Sequence, residues 1–415
     1  MKKHLFLLIA AAPFVCCLFV LGCQKPTADP PTAPPITQPP GQPPSQPPVV
    51  PSEPIDSAVS LYIGGYDTLY AFDARNGIMK WRVKLGGAGD AYNYWGSSPA
   101  YWNGNVYIGC YDKKLYAFDT TGKFKWSFLT DATITASPVV YKGKVYINSG
   151  NGTIYCIDGM TGQQIWQTTG DRTDAGSLVI RDGSIYVSGT YNLMAIDALT
   201  GQLIWSFTTN TYTSTRMSPV VVNNKVYVMA GGVGQYGETG LCVINKTTGA
   251  LIWSKVLDHA VEPVSINIGN GYVYCLSENI NGNTGIAAYD TTNGTFKWLT
   301  KQDDIAGSLS VSFPVLVDSI AFFPSVNNRF NAYDAFTGFL KWRRGFDDTI
   351  DGGTIANKVV YCNERGGIAD YGYVLAFDAS TGNSIWAAKV WTDFHGIPCV
   401  VTKSGKMHRL GDVYN

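Results

Sequence analysis

The chain has 415 residues and no net formal charge, with 31 basic side chains against 31 acidic ones. That balance excludes a basic excess and argues against a nucleic-acid binder, which would show such an excess or a basic stripe. Charged residues make up only 15%, while Gly (45), Tyr (25) and Trp (11) are abundant, a composition of tightly turned, half-buried strands rather than helices.

Lys2 and Lys3 precede an apolar run from Leu5 to Gly22 that ends Val20-Leu21-Gly22-Cys23. A basic n-region followed by an apolar h-region predicts an export signal over residues 1–22. The ending resembles the bacterial lipobox, which implies lipidation of Cys23 and a membrane-anchored, envelope-located body; an uncleaved signal anchor is the alternative. Residues 23–55 then form a linker, and 13 of the 31 residues from 24 to 54 are proline. Such a segment is extended polyproline II and packs no core.

Internal repetition dominates the remainder, residues 56–415. One phrase recurs eight times, from FDARNGIMKW through IDALTGQLIW to FDASTGNSIW, and ends at Trp81, Trp126, Trp166, Trp205, Trp253, Trp298, Trp342 and Trp386. A glycine stands four positions before each tryptophan, and an aspartate stands seven or eight before it in seven copies; the fifth has Asn245. Between the phrases run alternating strands joined by Gly, Asn and Asp turns. Each period therefore reads as four short antiparallel strands, A to D, and radial stacking of eight such sheets gives an all-β, eight-bladed β-propeller. In this reading the glycine supplies positive φ at the C–D turn, the aspartate accepts N–H groups there, and the tryptophan packs on the adjacent blade. The first period lacks a strand A, and GIPCVVTK near the C-terminus is a spare one, so residues 396–403 are predicted to complete the first blade.

These phrases resemble the pyrroloquinoline-quinone (PQQ) repeat family, with its A-x-D-x-x-T-G-x-x-x-W docking motif, over residues 57–415. The resemblance implies the propeller fold and leaves function open. The family's quinoprotein dehydrogenases carry a disulfide between adjacent cysteines and long pocket-building insertions. Here the only adjacent pair, Cys16-Cys17, lies in the leader, and periods of 39–48 residues leave no room for insertions. Neither a G-x-S-x-G elbow nor a phosphate-binding glycine loop is present, and His4, His259, His395 and His408 form no metal-type pair. We therefore expect no catalytic residue, no bound cofactor and no metal. The chain is also similar to the propeller lipoproteins of the outer-membrane barrel-assembly machinery, which implies protein partners and an assembly or scaffolding role. A surface module for glycans or peptides is the alternative, and a PQQ-dependent oxidoreductase a third.

The D–A loops are the variable segments. They concentrate acidic residues, among them Asp90, Asp131, Asp171, Asp303 and Asp351, beside Arg172 and Arg216. These read as a mouth for a cation or a basic partner, or as turn caps. Tyr94 and Trp95 in one loop, and Trp391 and His395 in the loop before the closing strand, read as a ligand platform or as a plug where the ring closes. The six body cysteines, scattered in strand-like runs, read as buried small hydrophobes or as candidates for oxidation in an exported protein.

Overall fold

A computed structural model describes residues 58–65, 67–86, 97–170, 176–208, 218–230, 240–257, 266–278, 284–300, 314–325, 328–347, 350–364, 371–390 and 396–408. Every regular element among them is a strand. The export signal, Cys23 and the proline-rich linker lie outside these residues.

Blade 1 contains β1 (Ala58–Gly64), β2 (Thr68–Phe72) and β3 (Met79–Lys84). Blades 2 to 8 are β4–β7 (100–129), β8–β11 (139–169), β12–β15 (179–208), β16–β19 (220–256), β20–β23 (266–299), β24–β27 (315–345) and β28–β31 (350–390). Each of these seven is a four-stranded antiparallel sheet in chain order. The eight sheets form the eight-bladed propeller that the repeats imply. Inner strand lies beside inner strand from β4 (Ala100–Trp102) round to β28 (Ile350–Ala356).

The ring closes as the strand count predicts, with one addition. β32 (Cys399–Thr402) pairs antiparallel with β1, placing Leu61 opposite Val400 and Tyr62 opposite Cys399. Both chain ends thus build blade 1. A two-residue strand that sequence reasoning missed, β33 (Met407–His408), adds to the inner edge of β32 and sits beside both β4 and β28. It is anchored by the Tyr101 N–H, which donates to Met407 Sδ at 3.1 Å.

The tight A–B turns follow from residue choice. Asn103-Gly104, Lys142-Gly143 and Asp182-Gly183 place both central residues at positive φ, the primed geometry that matches strand twist. Because successive strands are antiparallel, A–B and C–D turns share one end of each blade, and D–A and B–C loops share the other.

Each repeat phrase is a docking device between blades. In the C–D turn, Asp158 Oδ1 accepts from the N–H groups of Met160 (3.0 Å) and Thr161 (2.8 Å) and from the Thr161 hydroxyl. Asn245, the departure in the fifth copy, does the same work for Thr247 and Thr248, at 2.9 and 3.0 Å. The tryptophan of one blade then lies flat on the turn glycine of the next. At Gly77 (φ +72°), a Cβ would stand 2.5 Å from the Trp386 ring, so both backbone and stacking demand glycine. Indole N–H groups complete the joint: Trp81 donates to Thr120 O (2.8 Å), Trp342 to Ala379 O (3.0 Å) and Trp386 to Ala74 O (3.0 Å). That last bond joins blade 8 to blade 1 by the same joint used elsewhere. In blades 5 and 6, by contrast, the buried Trp253 and Trp298 indole nitrogens find no acceptor.

Candidate functional site

The D–A and B–C loops surround one mouth of the ring, and the described residues show how this end is framed. A collar of hydrogen bonds crosses four blade seams just ahead of the inner strands. The Ile397 N–H donates to Ser98 Oγ (2.9 Å), Ser98 N–H to Ser137 Oγ (3.0 Å), Ser137 N–H to Ser177 Oγ (3.0 Å) and Ser177 N–H to Ser218 Oγ (3.1 Å). Each bond satisfies a backbone donor that the short inner strands leave free. Sequence reasoning missed these serines; the signal was a Ser placed just before strand A, with proline following it in Ser98-Pro99, Ser137-Pro138 and Ser218-Pro219.

A second set went unread as well. The strand-B tyrosine of blades 2, 3 and 4 donates to the same carbonyl as that blade's tryptophan. Tyr107 and Trp126 meet at Gly159 O (2.9 and 3.2 Å), Tyr146 and Trp166 at Ala198 O (3.0 and 3.3 Å), and Tyr186 and Trp205 at Lys246 O (3.4 and 3.0 Å). In an alternating strand a tyrosine looks like one more core aromatic, which is why its hydroxyl was overlooked. Burial pushes the Tyr107 hydroxyl up to about 12, so it stays a donor.

Of the loop carboxylates, Asp131 is fully placed. It takes the Ser149 hydroxyl on Oδ1 (2.8 Å) and the Asn151 amide and Thr153 hydroxyl on Oδ2 (2.7 and 2.8 Å), tying the blade 2 exit loop to the B–C turn of blade 3. Although burial opposes it, these donors hold the carboxyl at about 2. Asp131 therefore joins two blades through side-chain donors of the neighbouring B–C turn.

Asp90, Tyr94, Trp95, Asp171, Arg172, Arg216, Asp303, Trp391 and His395 lie outside the described residues. Asp351 is placed by its backbone alone, within β28 beside a bulge between Ile350 and Gly353, and its side chain is outside them too. Residues 231–239, 279–283 and 365–370 also lie outside.

The six body cysteines, Cys110, Cys156, Cys242, Cys275, Cys362 and Cys399, are buried and unbonded to one another. Burial raises Cys242 to about 11 and Cys275 to about 12, so these thiols act as small hydrophobes. Among the described residues, no three His, Cys, Asp or Glu side chains stand together as a metal site.

Three solved structures place this fold among known propellers. BamB from Moraxella catarrhalis is 14% identical, with a TM-score of 0.57 over 77% of this chain and 95% of that one. The computationally designed Ika8 protein is 15% identical, with a TM-score of 0.61 over 77% and 96%. A europium-containing methanol dehydrogenase is 16% identical, with a TM-score of 0.61 over 76% and 83%. At these identities the likeness shows fold alone, and it spans an assembly factor, a design and an enzyme. No curated protein matches the sequence. The profile of the family described as outer membrane protein assembly factor BamB matches residues 65–236, 192–312 and 284–403, most of the chain. With the PQQ-like repeat in all eight blades, the chain belongs to that family.

Proposed function

We propose that this chain is a non-catalytic interaction scaffold of the bacterial envelope, anchored through a lipid on Cys23 and engaging protein partners with its D–A loops. The observation that carries the reading is the family match over residues 65–403, joined to a closed ring whose repeated tryptophans and glycines dock blade on blade. Packed seams beneath loops that vary from blade to blade are the arrangement of a scaffold that presents loops. The anchor rests on the lipobox resemblance, and the long proline-rich spacer fits a body held away from its lipid.

Site-specific photo-crosslinking tests this. A crosslinker at Asp90, Asp171 or Asp303 is expected to capture a discrete envelope protein, while one at Asn103, in the A–B turn at the opposite end, is not. Capture from Asn103 alone, or from none of these sites, would overturn the reading. The presence of a methanol dehydrogenase among the structural neighbours favours one competing reading, quinone chemistry at the mouth, which PQQ titration addresses directly.

A further inference from the structure

The eight docking tryptophans are not equally bonded. The indole N–H groups of Trp81, Trp126, Trp166, Trp205, Trp342 and Trp386 each reach a carbonyl on the next blade, at 2.8–3.3 Å. The two that reach none, Trp253 and Trp298, flank the same blade. Trp253 docks from blade 5 onto Gly294 of blade 6, and Trp298 docks from blade 6 onto Gly338 of blade 7.

Two further observations mark blade 6. A Cβ at Gly294 would meet Trp253 only at its Cζ3 edge, 3.0 Å away, followed by Lys255 Cδ at 3.1 Å; at the other seven turn glycines the tryptophan ring would lie 2.5–2.8 Å away. Trp253 therefore sits off the centre of its glycine. The outer strand β23 (Phe296–Leu299) is also short, and its register with β22 (Thr284–Asp290) stops at Ala287 opposite Leu299. At Ile286 the Thr300 hydroxyl accepts the N–H in place of a strand carbonyl, at 2.8 Å.

The cause at the seam of blades 5 and 6 lies in the one turn that departs from the repeat. The carbonyl three residues before the turn glycine serves Trp205 at Lys246, so Thr291 O is its counterpart for Trp253. That oxygen accepts instead from Lys225 Nζ (3.3 Å) and the Tyr227 hydroxyl (3.5 Å). Blade 3 also begins strand B with a lysine, Lys144, but Lys144 stands opposite the turn carboxylate of Asp158. There Ala198 O is left to Tyr146 and Trp166. Asp158 is held below the ordinary carboxylate range, chiefly by Thr161 and in part by the Lys144 charge. Lys225 stands opposite Asn245, which reproduces the turn bonds of an aspartate but not its charge. With no carboxylate opposite, the ammonium crosses the seam to Thr291. Blade 4 has Ser184 in place of the lysine, and Tyr186 and Trp205 share their carbonyl.

We infer that blade 6 is the release point of the ring, detaching reversibly from its neighbours ahead of the other blades, and that Asn245 promotes this by freeing Lys225. Every seam packs apolar side chains, so the joints differ in their polar bond, and local opening starts where that bond is missing. Opening there would expose the buried strand Ile286-Ala287-Ala288-Tyr289. The inference concerns the seams rather than the D–A loops and does not rest on the proposed function.

Native-state hydrogen exchange of the full chain, read by mass spectrometry, is the test. One net hydrogen bond corresponds to about fivefold in an opening equilibrium. Residues 284–299 are therefore expected to exchange at least about fivefold faster than their blade 3 counterparts, 153–169. Asn245→Asp, which installs the residue of the other seven copies, and Lys225→Ser, which installs that of blade 4, are each expected to slow residues 284–299 by about fivefold and to leave 153–169 unchanged. Equal exchange in the two blades of the wild type would overturn the inference. So would either variant leaving the exchange of residues 284–299 as it was.

Discussion

Replacing Trp386 and Trp298 by phenylalanine, one at a time, separates two contributions that the repeat phrase makes look identical. Trp386 is buried, and its indole N–H donates to the carbonyl of Ala74, itself 1% exposed, across the seam that closes the ring. Phenylalanine keeps most of the stacking on Gly77 but removes the donor and leaves that carbonyl bare. Removing the donor and leaving a buried acceptor unmet costs about 1–3 kcal/mol, and the smaller ring adds about 1 kcal/mol, so the total is about 3 kcal/mol. Trp298 has the same motif, yet its indole nitrogen has no acceptor, and the corresponding carbonyl of Ala335 already accepts the Tyr274 hydroxyl at 3.0 Å. Trp298→Phe deletes an unsatisfied donor together with some packing, and the cost falls to about 1 kcal/mol. Urea unfolding followed by tyrosine and tryptophan fluorescence will then show a clearly larger loss for Trp386→Phe. Equal losses, or a larger one for Trp298→Phe, would refute the assignment of seam strength to the indole hydrogen bond.

Gly122→Ala places a methyl 2.8 Å from the Trp81 ring at φ +84° and is expected to cost about 2–4 kcal/mol, whereas Gly104→Asn, at φ +77° with open space around it, is expected to cost under about 1 kcal/mol; thermal melts distinguish them. Asp73, Asp131 and Asp290 each sit at about 2 against an ordinary 3.8, held there by the Arg75 side chain, by the Asn151, Thr153 and Ser149 donors against burial, and by the Thr292 hydroxyl, respectively. Folded values below unfolded ones mean that their stabilisation is present above about pH 4 and is lost as pH falls towards 2. A pH series of urea midpoints should show that decline, and Asp131→Asn should shrink it. The six body thiols are expected to resist a thiol reagent at pH 8 in the native chain and to react on unfolding; rapid native labelling would contradict their burial.

How much was legible follows from which residues repeat. Blade count, turn glycines, capping aspartates and the closing strand were all readable, because eight copies of one local solution leave a periodic trace, and a blade short of one strand needs a donor from the far end. The hydroxyls of Tyr107, Tyr146 and Tyr186 repeat too, but strand periodicity reports only which face is buried, not what a buried polar tip meets. The silence of Trp253 and Trp298 is not readable at all: their phrases carry the same turn glycine and tryptophan as the others, the fifth departing only at Asn245, whose side chain makes the same turn bonds. β33 is too short to announce itself. The candidate mouth residues, from Asp90 to His395, fall in sequence segments that do not repeat, where neither periodicity nor turn chemistry assigns a partner.

The most direct test of a scaffold rather than an enzyme is calorimetric titration of the purified chain with PQQ in the presence of Ca²⁺. The account predicts no saturable heat; tight one-to-one binding would contradict it and turn the mouth carboxylates into candidates for quinone chemistry.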